Sequence, residues 1–307
     1  MTRAVVFAYH DVGVRCLAVL LAAGVEVPLV ITHADDPDEN IWFGSVAELA
    51  RFHGLPVITP TPAELPELVS RLNALRPDFL FSFYYRYLLS EELLNTASRG
   101  ALNMHGSLLP KYRGRVPVNW AIIHGERETG ASLHYMALRP DSGPLVDQQM
   151  TPILPDDTAL DVFRKVTWAA ELVLYRSLPR LIAGTAPRIP LDLQAGSYFG
   201  RRGPADGRID WRAPAQTVHN LIRAVTRPYP GAFTRLNGQE LRIWRSRYTG
   251  QPARHPQPCG YGENGRCYAD CGDGRRLEIL DFDLGGQPVT PARFFARWGE
   301  APIAFEE

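Results

Sequence analysis

The first eighty or so residues alternate short apolar runs with segments of helical periodicity, and few folds accept that rhythm. Ala4-Val5-Val6-Phe7-Ala8 contains no polar position at all. A strand of that kind must be covered on both faces, as in a parallel sheet flanked by helices. Residues 14–23 read as a helix closed by Gly24, and 27–32 as a second strand. Ser45, with Glu48 three residues on, makes a capping box for the next helix. Val57 and Ile58 begin a short strand, 63–75 is helical, and 79–83 is an aromatic-rich strand. This alternation predicts a Rossmann-like, doubly wound α/β fold with a parallel sheet.

Leu160, Phe163, Val166, Ala170 and Val173 recur near helical spacing and predict a long helix over 160–181. Pro187 and Pro190 then mark a linker, and the pattern changes. Phe233-Thr234-Arg235-Leu236 and Leu241-Arg242-Ile243-Trp244 flank Asn237-Gly238, a strong hairpin signal. The expected organisation is a catalytic domain over 1–189, a linker over 190–205, and a smaller β-rich domain, an OB-like barrel, over 206–307.

Lysine plus arginine balances aspartate plus glutamate at 33 each, so the global basic excess common in nucleic-acid binders is missing. His10 and Asp11 interrupt the opening apolar run before a secretory core forms, and the apolar run over 16–25 is too short for a bilayer. A cytoplasmic protein without membrane insertion is expected. Cys259, Cys267 and Cys271 lie near His255, but the tight paired spacing of a structural zinc site is lacking. Reduced thiols and no metal are expected.

The loop after the first strand reads Tyr9-His10-Asp11-Val12-Gly13, without the glycine pattern that cradles a dinucleotide pyrophosphate. NAD binding is therefore not expected. Polar chemistry concentrates between Asn103 and Pro117. Residues 101–104 read as a strand, and alternation puts Asn103 and His105 on one face. They sit at its carboxyl end, where open α/β sheets bind ligands. A second strand over 130–136 leads to a tight loop at Asp141-Ser142-Gly143.

Gathered in one cleft, these side chains suit acyl transfer to an amine. Attack on a formyl carbon puts negative charge on its oxygen. The Asn103 amide and the His105 imidazole can donate hydrogen bonds there, each worth about 2.7–4 kcal/mol. An Asp141 carboxylate would favour imidazolium at His105, the better proton donor. The same residue types also serve structural ends, as satisfied strand residues and surface turns.

The run Asn103-x-His105-x-Ser107-Leu108-Leu109-Pro110-x-x-Arg113-Gly114-x-x-Pro117, followed by Asp141-Ser142-Gly143-Pro144, closely resembles the folate-dependent formyltransferases. That family includes methionyl-tRNA, glycinamide ribonucleotide and sugar N-formyltransferases. The resemblance implies N10-formyltetrahydrofolate as co-substrate, Asn103 as transition-state stabiliser, His105 as proton donor and Asp141 as its supporting carboxylate. Val5-Val6-Phe7-Ala8-Tyr9-His10-Asp11, Phe81-Ser82-Phe83-Tyr84-Tyr85-Arg86, Phe199-Gly200-Arg201-Arg202 and Pro228-Tyr229-Pro230-Gly231-Ala232-Phe233 look most like one branch. That branch formylates the 4-amine of UDP-4-amino-4-deoxy-L-arabinose, in lipid A modification and polymyxin resistance.

By this resemblance, folate contacts fall on Tyr87, Leu88 and Leu89, on Arg115, and on Ala137, Leu138, Arg139 and Pro140. Tyr87 stands where the family often has His, in a contact made mainly through backbone. Tyr9 and His10, at the ligand edge of the first strand, and Arg201 and Arg202, with their phosphate-matching forks, are the candidate nucleotide-sugar contacts. In that branch the activity is fused to an NAD-dependent decarboxylase half. The chain is expected to be a stand-alone formyltransferase, working with a separate decarboxylase of the same pathway. Another nucleotide-linked amino sugar and methionyl-tRNA are the alternative acceptors. Asp273, Glu278, Asp281 and Asp283 in the C-terminal stretch argue against the latter.

Overall fold

The computed structural model describes residues 1–306, apart from the side chains of Phe295, Arg297 and Trp298. It divides into two compact units, one of Met1–Pro117, Glu128–Pro152 and Phe163–Gly200, the other of Val118–Arg127, Ile153–Val162 and Arg201–Glu307. Along the chain run β1 (Arg3–Ala8), α1 (His10–Ala22), β2 (Glu26–Ile31), α2 (Val46–Phe52), β3 (Val57–Ile58), α3 (Leu68–Leu75) and β4 (Phe79–Phe83). Then come α4 (Glu91–Leu94), β5 (Ala101–His105), β6 (Arg113–Gly114), α5 (Pro117–Ile123), β7 (Glu128–Tyr135), β8 (Leu145–Pro152), α6 (Ala159–Ala183) and β9 (Tyr198–Phe199).

The first unit holds a seven-stranded sheet in the order β3-β2-β1-β4-β5-β7-β8. β1 to β5 pair in parallel, as the apolar runs predict. Val5, Phe7, Leu29, Ile31 and Leu80 form one core cluster with Leu68 and Leu72 of α3. Their alternates Ala4, Val6, Ala8, Phe79, Phe81 and Phe83 are buried as well, so β1 and β4 are covered on both faces. The sheet is mixed rather than wholly parallel, because β7 runs antiparallel to β5, and β8 to β7. The short return between β7 and β8 can join only antiparallel neighbours.

Local chemistry explains the helix boundaries. Ser45 Oγ accepts the Glu48 N–H at 3.2 Å and starts α2. The predicted helix over 63–75 opens instead as a 3-10 turn, Pro62–Glu67, before α3, since Pro66 has no N–H to give an α-helical ladder. α6 lines the edge strand β8. Arg176 donates to the Asp147 carboxylate, to Gln149 Oε1 and to Gln148 O, while Lys165 Nζ donates to Pro152 O.

The second unit carries α7 (Ala215–Val225), β10 (Ala232–Leu236), β11 (Gln239–Pro252), β12 (Cys259–Glu263), β13 (Arg266–Asp270), β14 (Arg275–Leu284), β15 (Gln287–Pro288), α8 (Pro291–Trp298) and β16 (Ile303–Ala304). Its strands form an antiparallel half-barrel in the order β10-β11-β14-β13-β12-β16, with β15 on β14. Asn237 and Gly238 join β10 to β11 with φ of 49° and 73°, the mirror-image turn that matches strand twist. α7 was not legible as a helix, although Ala215, Val218, Ile222 and Val225 give it one buried face. No helix among the described residues is long and apolar enough to cross a membrane.

Candidate active site

The site forms where β5 reaches its carboxyl end. Asn103 and His105, two apart on β5, share a face, and β7 pairs beside them with Asn103 opposite His134 and His105 opposite Ser132. The loop after β7 brings Asp141 back to this edge. Asn103 Nδ2 lies 3.3 Å from Asp141 Oδ1, and His105 Nδ1 lies 3.5 Å from the same oxygen. The three residues read as one cluster in the sequence are therefore gathered around a single carboxylate oxygen.

Each member is anchored. Asp141 Oδ2 accepts the Gly114 N–H at 2.9 Å, and His105 Nε2 lies 2.8 Å from Tyr112 O. The turn carrying Tyr112 is pinned in turn. Ser107 Oγ donates to Lys111 O, Ser132 Oγ donates to Ser107 O, and Gln148 Nε2 donates to Leu109 O. Burial alone would raise the Asp141 carboxyl. The charge of His105 and the Gly114 N–H outweigh it and hold the carboxyl well below the usual carboxylate range. Asp141 is thus an anion at any working pH.

Backbone strain concentrates here. Of the eight non-glycine residues with positive φ among the described residues, five stand in the first unit just after β1 and β4, beside β6, or in the loop after β7: His10, Tyr84, Tyr112, Val116 and Asp141. Such conformations cost about 1–3 kcal/mol each and persist where surrounding contacts enforce them. Val116 is the sharpest case, because a β-branched side chain rarely tolerates φ of 46°.

The candidate substrate contacts fall in two places. His10 follows β1, its ring stacked on Phe43 at 3.8 Å with Trp42 and Phe163 edge-on. Burial, then the Arg86 charge, pushes its imidazole down to about 3, so it is neutral. Its Nδ1 accepts the Asp11 N–H, which leaves the proton on Nε2. Tyr9 is 4% exposed and already committed, its hydroxyl donating to Asp35 and its ring lying under Arg86. Arg201 and Arg202 belong to the second unit. Arg202 sits over the Trp120 ring and donates to Asp206 O, whereas Arg201 is exposed with no side-chain partner among the described residues.

Of the candidate folate contacts, Leu88 (72% exposed) and Leu138 (67%) are large apolar side chains left open to solvent. Leu89 is instead part of the core cluster, and Tyr87 packs edge-on against His33. Ala137 and Arg139 are exposed, and Pro140 is half-buried, in the loop leading to Asp141. Arg115 is exposed, its N–H given to Phe199 O.

One residue of the cluster was missed by sequence reasoning. His134 Nε2 lies 3.1 Å from Asn103 Nδ2 and 3.5 Å from Asp141 Oδ1. Alternation along β7 was the available signal, but the pairing of β7 with β5 was not. A different His/Cys/Asp group, His255, Cys259 and Asp270, gathers in the second unit with ligand atoms within 4.8 Å. Asp270 Oδ2 accepts the N–H groups of Arg254 and His255 and faces His255 Nδ1 at 3.0 Å, and Oδ1 accepts the Tyr261 hydroxyl. Its oxygens are occupied by protein donors, which fits a hydrogen-bonded lock rather than an ion.

Comparison with known proteins agrees with this architecture. The formyl transferase family model matches residues 18–178, and the model of the formyl transferase C-terminal domain matches 202–298. The chain belongs to the formyl transferase family and is a formyl-group transferase. Among solved structures, an N-formyltransferase from Helicobacter canadensis, complexed with folinic acid and dTDP-3-aminofucose, superposes with a TM-score of 0.74 at 21% identity, over 94% of this chain and 100% of that one. WlaRD, a sugar 3N-formyl transferase crystallised with dTDP and 5-N-formyl-THF, gives 0.73 at 20% identity, over 94% and 98%. Glycinamide ribonucleotide transformylase 1 from Symbiobacterium toebii gives 0.54 at 23% identity, over 62% and 95%.

Proposed function

We propose that the chain is a sugar N-formyltransferase that moves the formyl group of N10-formyltetrahydrofolate to the 4-amine of UDP-4-amino-4-deoxy-L-arabinose. The observation that carries this reading is the convergence of Asn103 Nδ2 and His105 Nδ1 on one oxygen of Asp141 at the carboxyl end of β5. Solved relatives that hold a folate and a dTDP or dTDP-sugar ligand support the substrate classes. The arabinose sugar rests on the sequence stretches around Phe81, Phe199 and Pro228.

In this reading the amine nitrogen attacks the formyl carbon, and the carbonyl electron pair moves onto oxygen. An N–H of Asn103 and the Nδ1–H of His105 meet that charge. When the pair returns, the bond from carbon to N10 breaks. N10 takes up one proton while the attacking nitrogen loses one, so no covalent enzyme intermediate is needed. Leu88 and Leu138 supply apolar cover for the pterin, beside Tyr87, Leu89, Arg115, Ala137, Arg139 and Pro140. Tyr9, His10, Arg201 and Arg202 serve the nucleotide sugar. Residues 1–189 carry the chemistry, 190–205 link, and 206–307 form the smaller domain. The enzyme acts in the cytoplasm, ahead of the lipid A modification that confers polymyxin resistance.

Incubation with N10-formyltetrahydrofolate and a panel of acceptors tests this. A product heavier by one CO is expected from UDP-4-amino-4-deoxy-L-arabinose. Turnover only of a dTDP- or GDP-linked amino sugar replaces that sugar. Formylation of methionyl-tRNA alone, or of nothing, overturns the reading.

A further inference from the structure

Two imidazoles flank the Asp141 carboxylate, and both are tied to the main chain in the same manner. His105 Nε2 lies 2.8 Å from Tyr112 O, and His134 Nδ1 lies 2.8 Å from Tyr135 O. A carbonyl only accepts, so each of these nitrogens carries a hydrogen. The remaining nitrogens, His105 Nδ1 and His134 Nε2, both stand 3.5 Å from Asp141 Oδ1. One carboxylate offsets one imidazolium, and a second would leave net positive charge in a buried place.

Asn103 breaks the symmetry. Its Nδ2 can only donate, and it sits 3.1 Å from His134 Nε2, nearer than that nitrogen's contact with Asp141. His134 Nε2 is therefore an acceptor, and the ring is neutral. Were His134 charged, its Nε2–H would turn to Asp141 and the Asn103 amide would have to rotate and present oxygen instead.

We propose that His134 is a positioning residue: a fixed neutral acceptor that keeps the nitrogen end of the Asn103 amide at the reacting centre and reserves the Asp141 charge for His105. The proposal rests on the formyl-transfer reading above. His134 itself need touch neither substrate. It acts through the two side chains that do.

The test first requires wild-type turnover of an amino sugar from the panel, then kcat and KM for His134→Leu and His134→Gln. Leucine removes the acceptor. Its kcat should fall roughly 10²-fold, as for a misplaced reacting group, with KM for both substrates little changed. Glutamine can place an acceptor oxygen near the Nε2 position without being chargeable, and it should restore most of that loss. Nitrogen-15 spectra of the wild-type ring near neutral pH should report the neutral tautomer with hydrogen on Nδ1. Wild-type kcat in His134→Leu overturns the proposal. So does a His134→Gln enzyme as inactive as His105→Gln, or a doubly protonated His134 ring. If the leucine variant does not fold, the glutamine rate and the spectrum decide. Failure of wild-type turnover would sink the proposed function instead, and the spectrum would still judge the tautomer.

Discussion

Each unit buries a carboxylate against histidine, and the two are built to opposite ends. Asp270 is fully buried, with three nitrogen contacts of 2.8–3.1 Å on Oδ2 and a hydroxyl on Oδ1. Asp141 has one close N–H on Oδ2, while Asn103, His105 and His134 stand off Oδ1 at 3.3–3.5 Å. A saturated carboxylate holds structure together. A loosely surrounded one, still partly open to solvent, has interaction strength left for a reacting molecule.

That contrast can be broken most directly at the loosely held cluster. His105→Ala should lower kcat by roughly 10²–10⁴-fold, as for loss of a general acid, with the thermal unfolding midpoint little changed. Steady-state kinetics and calorimetry on the same preparation check both halves. The reverse outcome belongs to Asp270→Ala, which strands a buried network and should cost about 3–5 kcal/mol in denaturant unfolding. The kcat per folded molecule should stay near wild type. If the first variant unfolds while the second merely loses activity, the contrast is inverted.

A smaller effect sharpens the picture beside His105. A Cβ on Gly106 would stand 1.9 Å from the Tyr84 hydroxyl, at the end of a ring held by positive φ. Gly106→Ala should therefore cost about 1–3 kcal/mol, read from urea midpoints. Gly106→Ala combined with Tyr84→Phe should recover part of it.

An acid sensitivity of the first unit is expected as well, spread gradually over the pH scale. Burial pushes the His10 imidazole down to about 3 and that of His33 to about 4. Unfolded, both take a proton near pH 6.5, so the unfolded state binds more protons below that value. Stability therefore falls as pH drops from about 6.5 toward 4, by roughly 1.4 kcal/mol per pH unit for the deeply buried His10. His10→Asn should flatten that slope in a pH series of unfolding midpoints. An unchanged slope would assign the sensitivity elsewhere.

Much of this was legible in the residues because the relevant signals are local. Wholly apolar runs reveal strands buried on both faces, and alternation alone puts Asn103 and His105 side by side. Asn-Gly marks the β10–β11 turn. The rest depends on pairings between distant segments. His134 joins the cluster only because β7 runs antiparallel beside β5, a register no short window contains. α7 is hard to see in the sequence because Ala215, Val218, Ile222 and Val225 mark only one side of it and a β-rich stretch follows. The Leu89 side chain packs into the core while that of Leu88 faces solvent, since adjacent residues after a strand face different ways.

The Arg176 and Lys165 side chains laid along β8 have a consequence for assembly. Gln148 O and Pro152 O, acceptors that a foreign strand would need, are occupied from within the molecule. A neighbouring polypeptide arriving there would meet cationic side chains in place of a bare ladder. Addition of a further strand to β8 is thereby opposed at these two positions.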